Sequence, residues 1–418
     1  MLTSCGAKTS AVTSVAVSTP APAAATASAN SSALTVVIPA NATYFEKNAA
    51  DHVAVYIAKK DGEAPKIVPD STPDNGPEID IGLTNRDSTK KAAEKDPEND
   101  EYVILKDNDD VAVYGEGYMA AGAAASYIKG APAKGEATAF SWEKPKSAVL
   151  LIGDGMGKNH IKAAEDDDKL DEFCARSFPA VGEAKTLNVE GGVTDSAAAG
   201  TALATGTKTT NGVLGFDKNG KRLTNIRELA EKAGKSTAVI TTDIITGATP
   251  SAFTVHTKSR SNTADIKAQQ SRLTKMTALS GSEGDALPVD TASILEKLGK
   301  NNKGFFFMIE EGLIDKYSHK NDLANTELCV ARFDKTIEAA ADYACYHPDT
   351  AVIVTADHET GGLKNDGGKW IYTTTGHTGA NVYIFAAGFG AEDAFDGKTV
   401  ENTQICDYIG HELGLIMS

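Results

Sequence analysis

The chain has 418 residues, and its 41 Lys and Arg stand against 57 Asp and Glu for a formal net charge of −16. That anionic surplus argues against nucleic acid as a partner, because phosphate-backbone binding needs clustered Lys and Arg; an anionic enzyme still binds phosphate esters where metal cations reverse the local field. The length admits two domains with a sizeable core, and no stretch approaches the roughly 18 to 20 apolar residues of a membrane-crossing helix.

In chain order, the run LTSC from Leu2 to Cys5 resembles the lipobox of bacterial lipoproteins, whose cysteine becomes the lipidated first residue after leader removal. The resemblance implies an exported bacterial protein at the cell surface or in the periplasm, anchored through Cys5. The charged and apolar parts of a leader do not precede it, as in a truncated or engineered start, and a chance match on a disordered N-terminus is the plainer alternative. Residues 6–33 are almost all Ala, Ser, Thr, Val and Pro, too poor in large apolar surface to pack, so 1–33 is expected to be a disordered tether.

Residues 34–133 read as a small α+β domain. LTVVIPA is a strand, ATYFEKNAADHVAVYIAKKDG an amphipathic helix, EIDIGLTNR, EYVILKD and DVAVYGE are strands, and MAAGAAASYIKG is a helix, while the acidic stretch TKKAAEKDPENDE reads as a solvated loop. The element order and the IGLTNR strand end resemble the noncatalytic domain that precedes the barrel in bacterial hexosaminidases and α-glucuronidases. That resemblance implies a contact with glycan or cell wall through residues 34–133. Residues 134–146 read as a linker.

From Ser147 to the end, strand-like and helix-like runs alternate, the pattern of a mostly parallel sheet covered on both faces in a three-layer α/β sandwich. The strand-like runs include AVLLIG, STAVITT, GFFFMIE, AVIVTA and NVYIFAAG, and the helices include a segment near 158–170, the Ala-rich run after Ser196, NIRELAEKAG, ASILEKLG and a long stretch after Asn325. Long apolar runs of this kind read as buried parallel strands, whose carboxyl ends gather ligands at one edge.

The residues that could do chemistry sit next to those runs: Asp154 after AVLLIG, Glu310 at the end of GFFFMIE, Asp357 and His358 after AVIVTA, and His377 before NVYIFAAG. Asp315 and His319 are four apart, so a helix beginning there presents both on one face, as paired metal ligands require. Mixed carboxylate and imidazole donors suit Zn²⁺. Ser196 precedes a run of small helix formers and should lie at a helix N-terminus, where an oxyanion meets free N–H groups; from its own segment it reads equally as an ordinary N-cap serine. Each segment alone is weak, but together they describe a polynuclear metal site.

The segments GDGMG, VTDSAAAGTALATGTKTTNGVLG, EEGLIDKYSH, TADHETGG and GHTG resemble, in order, the signature segments of the alkaline phosphatase family, over roughly residues 147–418. The resemblance implies metal-dependent hydrolysis of small phosphate monoesters. It assigns Ser196 as the nucleophile that is transiently phosphorylated and a ligand of the second zinc, Asp315, His319 and His377 to one zinc, and Asp357 and His358 to the second. Asp154 would bridge the second zinc to a magnesium held also by Thr249 and Glu310, Arg260 would grip the phosphate, and Lys316 would reach it through water. Two Zn²⁺ and one Mg²⁺ are thus expected.

Two departures matter. Gly247 stands where the family usually has an Asp or His beside the magnesium site, so a group that holds magnesium waters is expected to be missing, leaving that site weak or open to zinc. Only 18 residues separate His358 from His377, where many relatives carry a larger insertion, so a more open site and a monomer rather than a dimer are expected. A phosphodiesterase of the same superfamily and an inactive metal- or phosphate-binding surface protein are the alternatives; a sulfatase lacks support because no CxPxR-like segment occurs. His52, His160, His256, His347 and His411 match no site position. Cys329 and Cys345 share one helix-like stretch that would hold them roughly 24 Å apart, too far to bridge.

Overall fold

The computed structural model describes residues 34–98, 101–115, 117–139 and 143–415, so the LTSC run and the tether lie outside the described residues. Two large sheets organise the chain. The larger has eight strands in the order Ala278–Gly281, Ser236–Thr241, Phe305–Glu311, Ser147–Gly153, Thr350–Thr355, Val382–Ala387, Ala180–Lys185, Thr399–Glu401. The three central strands are buried along their whole length, and that is why FFFMI, AVLLI and AVIVT are continuous apolar runs rather than alternating ones. Burying each of Phe305, Phe306 and Phe307 contributes about 1.5–3 kcal/mol as an upper bound. Helices Leu287–Leu298, Leu323–Tyr346 and Lys158–Asp166 pack together in one layer, and Ser196–Thr205, Ile226–Lys232, Ala248–Ala252 and Thr403–Glu412 in another. The fold is therefore α/β with a mostly parallel sheet between helices.

One strand departs from the parallel expectation. Val382–Ala387 pairs antiparallel with both Thr350–Thr355 and Ala180–Lys185, whereas the other pairings in this sheet are parallel. The reversal has a functional consequence. A residue that precedes this strand arrives at the same sheet edge as residues that follow its neighbours, so His377 reaches the edge from the other direction.

The smaller sheet has the order Lys66–Pro69, Thr35–Ile38, Glu78–Ile81, Asp110–Tyr114, Glu101–Asp107, Thr138–Ala139. Its main helix, Tyr44–Asp61, begins with a capping box between Thr43 and Glu46 and ends at Gly62 in the left-handed conformation. Part of the acidic stretch read as a loop is a helix, Asp87–Ala93, because Ser88, Thr89 and Ala92 bury one face while Lys90 and Lys91 stay in water. The segment read as a linker also contributes Thr138–Ala139 to the sheet edge. The two sheets share a core: the rings of Phe45 and Tyr118 lie 5.0 Å apart, and Phe178 stands 6.0 Å from the first and 5.7 Å from the second. His52 adds a 2.9 Å contact to Asp342 on the long helix.

That helix, Leu323–Tyr346, is unbroken, and Cys174, Cys329, Cys345 and Cys406 are buried free thiols.

Candidate metal centre

The strand ends deliver the donors. Asp154 follows Ser147–Gly153, Glu310 lies within Phe305–Glu311, and the chain then turns through Gly312 into the short helix Leu313–Ser318, which carries Asp315 and is closed by His319. Asp357 and His358 follow Thr350–Thr355. His377 is seated by a two-residue ladder in which it pairs with Thr360, two residues beyond His358. Asp154, Ser196, Thr249, Glu310, Asp315, Asp357 and His358 are buried, His377 is half-buried and His319 is exposed.

Distances among the donor atoms test whether a metal fits. Ligands about 2.0–2.2 Å from a tetrahedral zinc stand about 3.3–3.6 Å from one another. Asp315 Oδ1 lies 3.2 Å from His319 Nε2 and 3.5 Å from His377 Nε2, and the two imidazole nitrogens are 3.2 Å apart. Around His358 Nε2, Asp357 Oδ2 lies at 3.2 Å, Asp154 Oδ1 at 3.6 Å and Ser196 Oγ at 3.2 Å. The three separations in the first set, and the three measured from His358 in the second, lie close to the edge lengths of a zinc tetrahedron. The two sets adjoin, because the donor atoms of Asp315, His358 and His377, and those of Asp154, Asp357 and His358, each fall within 4.8 Å of one another.

The outer contacts hold these donors in place. His377 Nδ1 hydrogen-bonds the Thr194 carbonyl at 2.9 Å and His319 Nδ1 that of Thr375 at 2.5 Å, which leaves each Nε2 free as a ligand. The Thr360 hydroxyl donates to Asp315 Oδ1 at 2.7 Å, and the amides of Gly155 and His358 donate to Asp357 Oδ1. Among the described residues of the site, three buried oxygens have no hydrogen-bond partner: Asp154 Oδ1, Asp357 Oδ2 and Thr249 Oγ1. Leaving such groups dry and unpaired is costly, and two neighbouring bound cations would relieve all three.

Electrostatics point the same way. Burial, followed by the Asp357 and Asp315 charges, raises Asp154 well above the usual carboxylate range. Burial likewise lifts Asp357 to about 6 and Glu310 to about 7, the latter against hydrogen bonding from Thr241. Burial holds His358 neutral, as a metal ligand must be. Burial also opposes the shifts of Asp315 and His377 but is outweighed: their mutual hydrogen bond lowers the first and raises the second. The donor set around Glu310, Asp154 and Thr249 is all oxygen, which suits a hard cation such as Mg²⁺.

Ser196 is the first residue of the helix Ser196–Thr205, capped by Asp195, whose carboxylate accepts from the Ala198 amide at 3.0 Å. The same carboxylate accepts from the Gly212 amide and, at 3.1 Å, from Arg260 Nη1, so one side chain caps the serine helix and aims the guanidinium. Lys316 stands 3.3 Å from Asp243 and 3.8 Å from Asp315. Burial lowers Lys316, but Asp154, Asp243 and Asp315 together raise it. Every site residue expected from the sequence thus gathers at one edge. Thr360, Asp195 and Asp243 join them unforeseen; the first two adjoin expected residues in sequence, and Asp243 carried no signal. Of the unassigned histidines, His160 is buried beside the site, hydrogen-bonded to the Gly157 amide and Ser318 Oγ at 3.1 Å each. A groove of about 850 Å³ lined by residues such as Tyr44, Leu170 and Arg332 contains none of these side chains.

A doubly covered α/β sheet with a polynuclear donor set at one edge defines a candidate metal-binding α/β protein, and comparison with known proteins gives its family. The profile of the alkaline phosphatase family matches residues 145–280 and 286–375, and the chain belongs to that family. Alkaline phosphatase 4 of Bacillus subtilis is 32% identical over 287 residues, covering 52% of this chain and 62% of the relative. Alkaline phosphatase 3 of the same organism is 29% identical, covering 62% of this chain and 70% of its own length. The chain thus spans 62% of the length of the first of these relatives. Among solved structures, the alkaline phosphatase of the Antarctic bacterium TAB5 superposes with a TM-score of 0.60 at 26% identity, covering 66% of this chain and all of its own. A variant of that enzyme, 25% identical to this chain with a TM-score of 0.59 over 66% of this chain and all of its own, is solved with Mg bound in its M3 site.

Proposed function

We propose that the chain hydrolyses small phosphate monoesters through a phosphoserine formed on Ser196, releasing inorganic phosphate. Asp315, His319 and His377 would hold one zinc; Asp357, His358, Ser196 and Asp154 would hold a second; and Asp154, Thr249 and Glu310 would hold magnesium. When bound, these cations supply charge neutralisation for the phosphoryl group and lower the pKa of a coordinated hydroxyl. The observation that carries the reading is the position of Ser196 Oγ, buried and 3.2 Å from His358 Nε2, the atom that Asp357 and Asp154 also approach.

The chain's own residues then divide the work. Ser196 Oγ gives its proton to solvent and attacks phosphorus while the ester oxygen leaves with the bonding pair and takes a proton from solvent; water then attacks the phosphoserine, the Oγ–P bond breaks with its pair on Oγ, which regains a proton, and inorganic phosphate departs. The amides of the first helical turn face the forming charge. Arg260 is 34% exposed at its side chain, and Asp195 takes only part of its donor fork, so the remaining N–H groups can bind two nonbridging oxygens. Lys316 stays charged at the rim and can reach phosphate through water. Residues 34–133 serve as a glycan or cell-wall contact and the LTSC run as a lipid anchor in this reading, supported by the resemblances already given.

Ser196→Ala tests it. The variant should keep its zinc by elemental analysis, fail to trap labelled phosphate at acid pH, and lose turnover by on the order of 10³-fold or more. Unchanged turnover removes Ser196 from the nucleophile's role.

A further inference from the structure

Gly247 brings no side chain toward the all-oxygen donor set, and the Asp243 carboxylate lies beside the place where one would begin. Gly247 caps the short helix that carries Thr249, with φ −59°, a conformation open to any residue. A Cβ built there would stand 2.9 Å from the Ile244 carbonyl oxygen and 3.2 Å from Asp243 Oδ2. The carboxylate of Asp243 therefore occupies the space that a side chain at 247 would enter.

Its other contacts tie it to the same centre. The Asp243 amide donates to Thr241 Oγ1 at 2.9 Å, and that hydroxyl in turn donates to Glu310. Asp243 Oδ2 lies 3.3 Å from Lys316 Nζ, and the Asp243 charge acts on Glu310. Thr249 Oγ1, 1% exposed and lying against Glu310, has no hydrogen-bond partner of proper geometry and so calls for a ligand in the space these residues enclose.

We propose that Asp243 substitutes from the preceding loop for the side chain missing at Gly247, holding the water ligands of a divalent cation bound by Asp154, Thr249 and Glu310 and tethering Lys316 at the rim. This rests on the phosphatase reading of the site. It revises the expectation that Gly247 leaves the magnesium position without an outer carboxylate: the group is present, moved four residues toward the N-terminus. Asp243 is a positioning residue, acting on substrate only through the cation's waters and Lys316. A carboxylate is suited to this, because both its oxygens accept from water and its charge balances a dication, whereas an amide is neutral and has one acceptor oxygen.

The experiment is calorimetric titration of magnesium into zinc-loaded protein, with zinc content measured on the same samples. Asp243→Asn keeps the size of the side chain and the backbone bond to Thr241. It should hold zinc at the wild-type level while its magnesium affinity falls by about 10–100-fold, the usual effect of losing an outer-sphere partner. Asp243→Ala should move in the same direction. Magnesium affinity within twofold of wild type in the Asn variant overturns the inference, as does wild-type protein that holds two zinc ions but takes up no magnesium. Wild-type protein that retains no stoichiometric zinc overturns both the inference and the reading beneath it.

Discussion

The side chains that matter most here are held in states they would not adopt in water. Asp154, Asp357 and Glu310 are lifted by burial and mutual repulsion, and three of the site's buried oxygens lack partners, so the site is poised for cations rather than folded for its own stability. A similar strain occurs away from the chemistry at Asp334, which burial pushes up to about 7 although it accepts from the Cys174 amide at 2.8 Å. A carboxyl whose folded pKa is raised favours folding when protonated, so its contribution is complete below the ordinary value of 3.8 and is lost as pH rises through about 7. Asp334→Asn keeps an acceptor for the amide and does not ionise. Its melting temperature relative to wild type should therefore be higher at pH 8 than at pH 5; an equal difference at both values contradicts the burial argument. At this scale the sequence pointed to Asp154, Glu310, Asp357, His358 and His377 because each lies next to an apolar run, to Asp315 and His319 through their helical spacing, and to Thr249 only through the family resemblance. Thr360 and Asp243 were not legible, since their partners Asp315 and Lys316 are distant in sequence and spacing carries no information about contacts made by folding.

Elements set the directions from which those side chains arrive. The turn after Ser147–Gly153 brings Gly155 so close to the helix of Asp315 that a Cβ there would stand 2.8 Å from Thr360 Oγ1 and 3.0 Å from Asp315 Cα, and its φ of +74° is one that residues with a Cβ rarely take. Gly155→Ala should destabilise the fold by about 1–3 kcal/mol and displace Asp315. Weaker zinc retention together with a lower melting temperature is the expected result, and a variant with wild-type zinc affinity would show that the turn does not register the ligand. The long buried strands were legible from their apolar runs. Their direction was not: NVYIFAAG looks like its parallel neighbours because burial on both faces, not orientation, makes a strand apolar. Short edge strands such as Ala278–Gly281 and Thr399–Glu401 escaped notice because each has too few residues to show a period.

For the molecule as a whole, the ordered signature segments made the family and the α/β class legible, and the family profile agrees. The close union of the small sheet with the large one was not, because Phe45 lies in a helix that reads as complete in itself, while Tyr118 and Phe178 fall outside the elements read from the sequence. The central claim concerns the chemistry at the edge of the large sheet. The most direct measurement compares hydrolysis of p-nitrophenyl phosphate and bis-p-nitrophenyl phosphate by metal-loaded and chelator-stripped protein. The proposed site predicts a kcat/KM for the monoester at least about 100-fold above that for the diester, abolished by stripping and restored by zinc with magnesium. A preference for the diester, or activity indifferent to chelation, would contradict it.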